Sequence, residues 1–462
     1  MDCDARFNTY CFLLAFLPIV LAAYWIVPSR RWKHLLLAVA GIVFYGFWDV
    51  RFAALLVAAA VVDFFVAQRI AGSARKRLWL GVSLAFNLGV LAVFKYAVFA
   101  VESARSLFDV FGVPAELPYF SIVLPVGISF FTFKTLSYTI DVYRGEVAAT
   151  RDFPKYLAFI CLFPDLVAGP ILRYADMSRQ LDDIPRRPDR AMFALGVTAM
   201  SVGLFKKVVV ADTIARYVDP LWTATATLTT LEAWAAAFGY GLQLYFDFSA
   251  YSDMAIGLGA MLALRFPVNF RAPYQALNPS DFWRRWHVSL SSWLRDYLYI
   301  PLGGNRKGGR RTYVNLLLVM FLGGLWHGAA WTFVAWGMLH GLYLVLYRAM
   351  GKTWDAAPVL VQRAVMLALV MAAWVPFRAV DFATAGHVYA AMAGTNGFGS
   401  FAATGWLVAG LAAVLAFAIA AKPLVDQHFD ARRRVAVAAA TLLVVSIVML
   451  DFGDSPFLYY QF

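Results

Sequence analysis

Long apolar stretches recur along almost the whole chain, and short hydrophilic stretches separate them. A hydrocarbon core of ~30 Å is crossed by about 20 helical residues, so the pattern predicts membrane-spanning helices. The candidate spans are 12–27, 35–49, 52–68, 78–100, 121–140, 156–172 and 192–211, then 231–246, 249–264, 313–325, 329–348, 361–378, 402–421 and 434–451. The runs 249–264 and 121–133 also fit re-entrant or buried pieces, because irregular backbone is tolerated at membrane depth only inside protein or beside a water-filled cavity. The expected architecture is all-α: one polytopic integral membrane domain over residues 1–462, with ~11–13 true spans. No internal repeat is evident, which counts against an inverted-repeat transporter.

Two stretches depart from this pattern. The run Tyr313 to Tyr347 holds no Asp, Glu, Lys or Arg, yet as one helix it would be ~50 Å long. A break near Gly323-Gly324 and Gly328 resolves the excess and places His327 beside it. The segment 265–311 is instead rich in proline, aromatic and basic residues. It opens with Arg265-Phe-Pro-Val-Asn-Phe-Arg-Ala-Pro-Tyr274, starts a helix with Ser280 or Asp281 as cap, and closes at Pro301-Leu-Gly-Gly-Asn305. Indoles and guanidiniums together belong at a headgroup boundary, so 265–311 reads as a cytoplasmic-side interfacial or re-entrant segment.

Composition agrees: 62% of residues are hydrophobic and 15% charged. The net charge of +12 sits in short loops, at 29–33, 73–77, 305–311 and 431–434. Short Lys/Arg-rich loops mark the cytoplasmic face, so the charge points to anionic lipid headgroups or an anionic donor, not to nucleic acid. Arg30, Arg31 and Lys33 follow the first apolar run and orient it from outside to inside. No positive stretch precedes that run, so a cleaved leader is not expected. Cys3, Cys11 and Cys161 offer neither a paired framework nor a metal spacing, and Cys161 reads as a packing residue.

The chemistry concentrates in Asp281-Phe-Trp-Arg-Arg-Trp-His287 and Gly-Gly-Leu-Trp-His327-Gly. An imidazole at bilayer depth costs free energy unless it faces a cavity. Imidazole is also the side chain whose pKa suits acid/base work near neutrality. His327, with Trp326 and Trp331 as apolar wall, is therefore a candidate base or a buried histidine bonded to a neighbouring helix. His287 is a candidate to bond a donor carbonyl, to orient His327 or to hold the lining together. His340 lies ~220° round a helix from His327 and reads as core or interface. His34, His387 and His428 fall in polar, loop-like surroundings. The acids of Tyr245-Phe-Asp247-Phe-Ser-Ala-Tyr-Ser-Asp253 call for buried partners, with Arg284, Arg285 or Arg295 available, and Lys206 and Lys207 sit near Asp212. Trp283, Arg284, Arg285, Trp286, Ser289, Tyr245, Asp247 and Asn305 are the candidate lining of a donor path. No phosphate-binding glycine loop, serine elbow or metal-ligand spacing appears.

Several segments, in order, resemble the membrane-bound O-acyltransferase family, and within it the bacterial alginate O-acetyltransferase-like branch. They are Leu124-Pro-Val-Gly-Ile-Ser-Phe-Phe-Thr-Phe133, Tyr138-Thr-Ile-Asp-Val-Tyr-Arg144, Ala168-Gly-Pro-Ile-Leu-Arg173, Gly203-Leu-Phe-Lys-Lys207 and Tyr245-Phe-Asp-Phe-Ser249. They continue through Asp281-Phe-Trp-Arg-Arg-Trp-His-Val-Ser-Leu-Ser291, Tyr299-Ile-Pro-Leu-Gly-Gly304, Gly324-Leu-Trp-His-Gly-Ala329 and the terminal Ser455-Pro-Phe-Leu-Tyr-Tyr-Gln-Phe462. Ala250 and Tyr460 depart from the pattern, where glycine and phenylalanine are expected.

The resemblance implies that His327 matches the catalytic histidine and His287 the second active-site position. It implies a ring of helices around a central funnel, in the inner membrane of a bacterium. It further implies acetyl-CoA as acyl donor, no bound cofactor, an exported or cell-envelope polysaccharide as destination, and a periplasmic SGNH-hydrolase-like or other polysaccharide-modifying partner. The alternatives are D-alanyl or another acyl transfer within the family, or a non-enzymatic export component.

Overall fold

The computed structural model describes residues 6–113, 117–421, 433–450 and 457–458, and every regular element among them is helical. The chain divides into two compact units, one of residues up to Met200 with Met254–Pro267, the other of Ser201–Asp253 with Val268 onward.

The first unit carries α1 (Leu17–Ile26), α2 (Arg30–Gly46), α3 (Val50–Gly72), α4 (Lys76–Leu91), α5 (Ala97–Val110), α6 (Ile128–Arg144), α7 (Phe153–Ile160), α8 (Tyr174–Asp182) and most of α9 (Arg190–Phe205). Side-chain caps start three of them: Asp49 accepts from Arg51 N at 2.8 Å, Asp152 from Lys155 N at 3.1 Å and Asp189 from Met192 N at 2.8 Å. A buried polar clasp joins three helices. Asp63 on α3 accepts from Ser83 Oγ at 2.6 Å and Asn87 Nδ2 at 2.7 Å on α4, and Thr135 on α6 donates to Asn87 Oδ1 at 2.9 Å. Each polar group there has a partner, which is the condition for burying it at all. The expected span 156–172 is not one helix. α7 stops at Ile160, and the following chain packs so closely that a Cβ on Gly41 would collide with the Cys161 carbonyl. Cys161 is buried and free, whereas Cys11 is disulfide-bonded, a pairing the cysteine spacing had not indicated. His34 is also buried, 3.0 Å from the Leu181 carbonyl, and not in a polar loop.

The second unit carries the end of α9, then α10 (Asp212–Thr223), most of α11 (Thr230–Met261), α12 (Pro279–Arg285), α13 (Val288–Leu294), α14 (Gly309–His327), α15 (Trp331–Asp355), α16 (Val359–Arg378), α17 (Phe382–Met392), α18 (Phe401–Ala420) and α19 (Arg433–Met449). α11 is a single 32-residue helix where two spans, 231–246 and 249–264, were expected. The polar interruption between them is neutralised in place. Lys207 Nζ lies 2.8 Å from both Asp247 and Asp212, and Lys206 Nζ 2.6 Å from Asp253. A buried carboxylate with a matched ammonium does not have to end a helix. The expected arginine partners are engaged elsewhere: Arg284 and Arg285 with Asp281 at 3.8 and 3.0 Å, and Arg295 with Asp296 at 2.6 Å.

Among the described residues, five helical stretches are long and apolar enough to cross a membrane: Val50–Gly72, Lys76–Val110, Arg190–Thr223, Trp331–Asp355 and Val359–Arg378. Shorter apolar helices cover Phe12–Ile26, Thr404–Ala420 and Arg434–Met449. Several other apolar runs fall on helices that are short or carry buried polar residues. α14, for instance, includes Asn315, three glycines and His327 within its 19 residues. At the C-terminal end, Leu458 N donates to Asp247 Oδ2 at 3.0 Å, and the Phe457 ring lies 4.8 Å from Lys207 Nζ. The remaining residues of the terminal motif, Tyr460 among them, lie outside the described residues, as do His428 and residues 431–432.

Candidate active site

The break expected near Gly328 falls there. α14 ends at His327, Gly328 turns extended with φ −157°, and α15 begins at Trp331. The two helices form a hairpin whose closeness depends on glycine. A Cβ on Gly324 would collide with the Phe333 carbonyl, and one on Gly337 with the Met320 carbonyl. These glycines admit backbone and not substrate. The close packing sets Trp336 of α15 against His327, with ring centres 4.9 Å apart. Trp326 at 4.9 Å and Phe377 of α16 at 5.4 Å complete an aromatic wall, and His327 is 4% exposed. Trp331 is not part of it; at the first turn of α15 it is 52% exposed.

His287 occupies the joint between α12 and α13, in a left-handed backbone conformation with φ +43°. A non-glycine residue there is uncommon and is held by its surroundings. α12 starts at Pro279 with Asn278 as cap, accepting from Asp281 N at 2.8 Å; the expected cap, Ser280 or Asp281, already lies inside the helix. The preceding strand-like segment runs beside the joint: Val288 N donates to Asn269 O and Arg271 N to Arg285 O, each at 2.9 Å. The Asn269 side chain reaches the same turn. Its Oδ1 lies 3.2 Å from His287 Nδ1, 2.9 Å from Ser289 Oγ and 3.3 Å from Ser289 N, while its Nδ2 donates to Ser252 Oγ at 3.1 Å. Phe248 of α11 meets the His287 ring edge-on at 4.7 Å.

The structure thus brings the two histidines together, with ring centres 6.4 Å apart and Trp326 6.1 Å from His287. An oxygen hydrogen-bonded to one nitrogen of each ring would lie about 4 Å from each centre. With that separation, the angle at the oxygen is roughly tetrahedral, as a hydroxyl oxygen requires.

Other predicted residues take several places. Trp286, 2% exposed, stacks on Phe282 and packs against Phe270 and Trp374, and Tyr245 joins that cluster 5.2 Å from Tyr274. Trp283 lies 5.9 Å from Trp336, and His340 enters the same cluster, parallel to Phe282 and 5.0 Å from Trp336. His340 is therefore core, one layer from the histidine pair. Ser289 supports the His287 turn, whereas Asp247 is bound up with Lys207. Arg284 is largely exposed and Arg285 half-exposed. Asn305 is exposed and accepts from the Tyr299 hydroxyl. Sequence reasoning missed Trp336, Phe377, Phe248 and Asn269. Asn269 carried one signal, an amide within a proline-bounded segment next to the histidine motif.

Two buried imidazoles close together inside an aromatic wall are an arrangement able to carry the proton transfer that acyl transfer needs. The comparisons agree. The model of the membrane-bound O-acyltransferase (MBOAT) family matches residues 126–377, more than half of the chain and including both histidines. The chain belongs to that family and is a multi-pass membrane O-acyltransferase. It is 46% identical over 395 residues to a probable alginate O-acetylase AlgI of Azotobacter vinelandii, covering 84% of this chain and 77% of that one. It is 38% identical over 427 residues to the peptidoglycan O-acetyltransferase of Helicobacter pylori, covering 85% and 80%. The teichoic acid D-alanyltransferase of Bacillus subtilis is more distant, 27% identical over 245 residues, covering 51% and 62%.

Proposed function

We propose that this chain moves acetyl groups from cytoplasmic acetyl-CoA across the inner membrane of a bacterium, for O-acetylation of a cell-envelope or exported polysaccharide. The observation that carries the reading is the buried pair His287 and His327, spaced to seat one hydroxyl oxygen between them. The named activities of the AlgI and Helicobacter pylori relatives support acetyl as the group moved.

In this reading the thioester enters past the 282–311 segment, whose Arg284 and Arg285 attract its phosphates. His327 takes the acceptor hydroxyl proton as the oxygen attacks the acetyl carbonyl. The tetrahedral oxyanion is steadied by His287 or by the Trp326 indole N–H. Collapse breaks the C–S bond, and the departing thiolate recovers the proton from His327. The aromatic wall excludes water, which would otherwise hydrolyse the thioester. A periplasmic SGNH-hydrolase-like acetyltransferase, or another polysaccharide-modification protein, completes transfer to the polymer.

The test is transfer of label from acetyl-CoA into envelope polysaccharide, in membranes holding this chain with its native neighbours. Label that requires the chain supports the proposal and names the polymer. Label delivered only from a D-alanyl carrier moves the reading to D-alanyl transfer, and polysaccharide export with no acyl transfer overturns it.

A further inference from the structure

We infer that Asn269 holds the proton of neutral His287 on Nδ1, so that its Nε2 is a hydrogen-bond acceptor and not a donor. The argument begins with a group whose role is not adjustable. The Ser289 backbone N–H can only donate, and it lies 3.3 Å from the side-chain atom of Asn269 assigned as oxygen. With the amide reversed, an NH₂ group would face that N–H, and the Ser252 hydroxyl would face the oxygen. The orientation given satisfies all of these atoms: Oδ1 accepts from Ser289 N and Oγ, and Nδ2 donates to Ser252 Oγ.

His287 Nδ1 lies 3.2 Å from the same oxygen, so it must bear hydrogen for the contact to be a bond. A neutral imidazole carries one N–H, which leaves the lone pair on Nε2. The Asn269 backbone tightens the arrangement. Its carbonyl binds Val288 N at 2.9 Å, and that bond helps keep His287 in its left-handed conformation. Asn269 is thus a positioning residue that acts through His287, comparable to the groups that fix the tautomer of metal-bound or catalytic histidines.

This inference rests on the acyl-transfer reading above and sharpens it. A lone pair at Nε2 can neither donate to the acceptor oxygen nor steady an oxyanion, so the oxyanion falls to the Trp326 N–H. The hydroxyl has a single proton, which goes to one imidazole, and His287 Nε2 is the acceptor that competes with His327 for it. If His287 takes the proton, Nδ1–H still donates to Asn269, so the same amide supports the cation.

The test is ¹⁵N NMR of the detergent-solubilised full chain with labelled histidine, His287 being assigned by the signal lost in His287→Gln. The expected wild-type pattern is Nδ1–H with a bare Nε2; a majority Nε2–H pattern overturns the inference, whatever the activity. Asn269→Leu should shift His287 toward Nε2–H and lower kcat at least tenfold with little change in KM. Asn269→Asp keeps an acceptor and should restore the wild-type tautomer, with the activity profile displaced along the pH axis. An unchanged tautomer in Asn269→Leu at wild-type melting temperature would contradict the role given to Asn269. Retained transfer in His327→Ala would sink the acyl-transfer reading and leave the tautomer result standing.

Discussion

His327 and Trp336 meet with ring centres 4.9 Å apart and planes at 86°, although they lie on different helices and nine residues apart. The contact exists because α14 and α15 close on each other at Gly324 and Gly337. An edge-to-face pair of this kind contributes about 0.5–1.5 kcal/mol beyond the area it buries. It fixes the imidazole plane as well as excluding water from it.

Trp336→Ala should therefore lower both stability and transfer. Truncating a fully buried tryptophan costs about 3–5 kcal/mol, and a loosened His327 loses its alignment with the acceptor. Trp336→Phe retains an edge and should keep more of both. Thermal unfolding in detergent, alongside the transfer rate, checks the order wild type, Phe, Ala.

Adjacent glycines make a sharper comparison. A Cβ at Gly324 meets the Phe333 carbonyl and lies 3.2 Å from Gly337 Cα, whereas at Gly323 the nearest atom is Leu294 Cδ1 at 3.5 Å. Gly324→Ala should cost about 1–3 kcal/mol by overpacking and reduce transfer, while Gly323→Ala is accommodated. Equal melting temperatures for the two variants would refute this account of the hairpin.

Lys207 balances two buried acids, Asp247 and Asp212. Lys207→Met leaves both uncompensated, and breaking a buried pair in this way costs about 3–5 kcal/mol. The expected outcome is loss of folded protein from the membrane. Lys207→Met combined with Asp212→Asn and Asp247→Asn removes the stranded charges and should recover part of the yield.

Much of this arrangement was legible in the chain. The uncharged run 313–347 was too long for one helix, and its glycines located the break that sets His327 at the end of α14. The pairing of Lys207 with Asp212 was also readable, because the two are five residues apart. Partners at long range were not. Nothing local told Asp247 and Asp253 to choose lysines over the arginines of 284–295. Arg284 and Arg285 found an acid one turn away in Asp281, and Arg295 found its neighbour Asp296. α11 was misread as two spans for the same reason: hydropathy counts a carboxylate as an interruption until its ammonium is known. Trp331 and Trp336 are equally aromatic in sequence, and only the hairpin crossing decides that the second faces His327.

The most direct measurement compares wild type with His327→Ala and His287→Ala in acetyl transfer from labelled acetyl-CoA, at equal folded protein in the membrane. Loss of a general base typically removes 10²–10⁴-fold of rate, so label in the polysaccharide should fall by about that factor in His327→Ala. The account predicts a clear but smaller deficit in His287→Ala. Wild-type labelling in His327→Ala would mean that the buried imidazole is structural, and the chemistry assigned to the pair would be wrong.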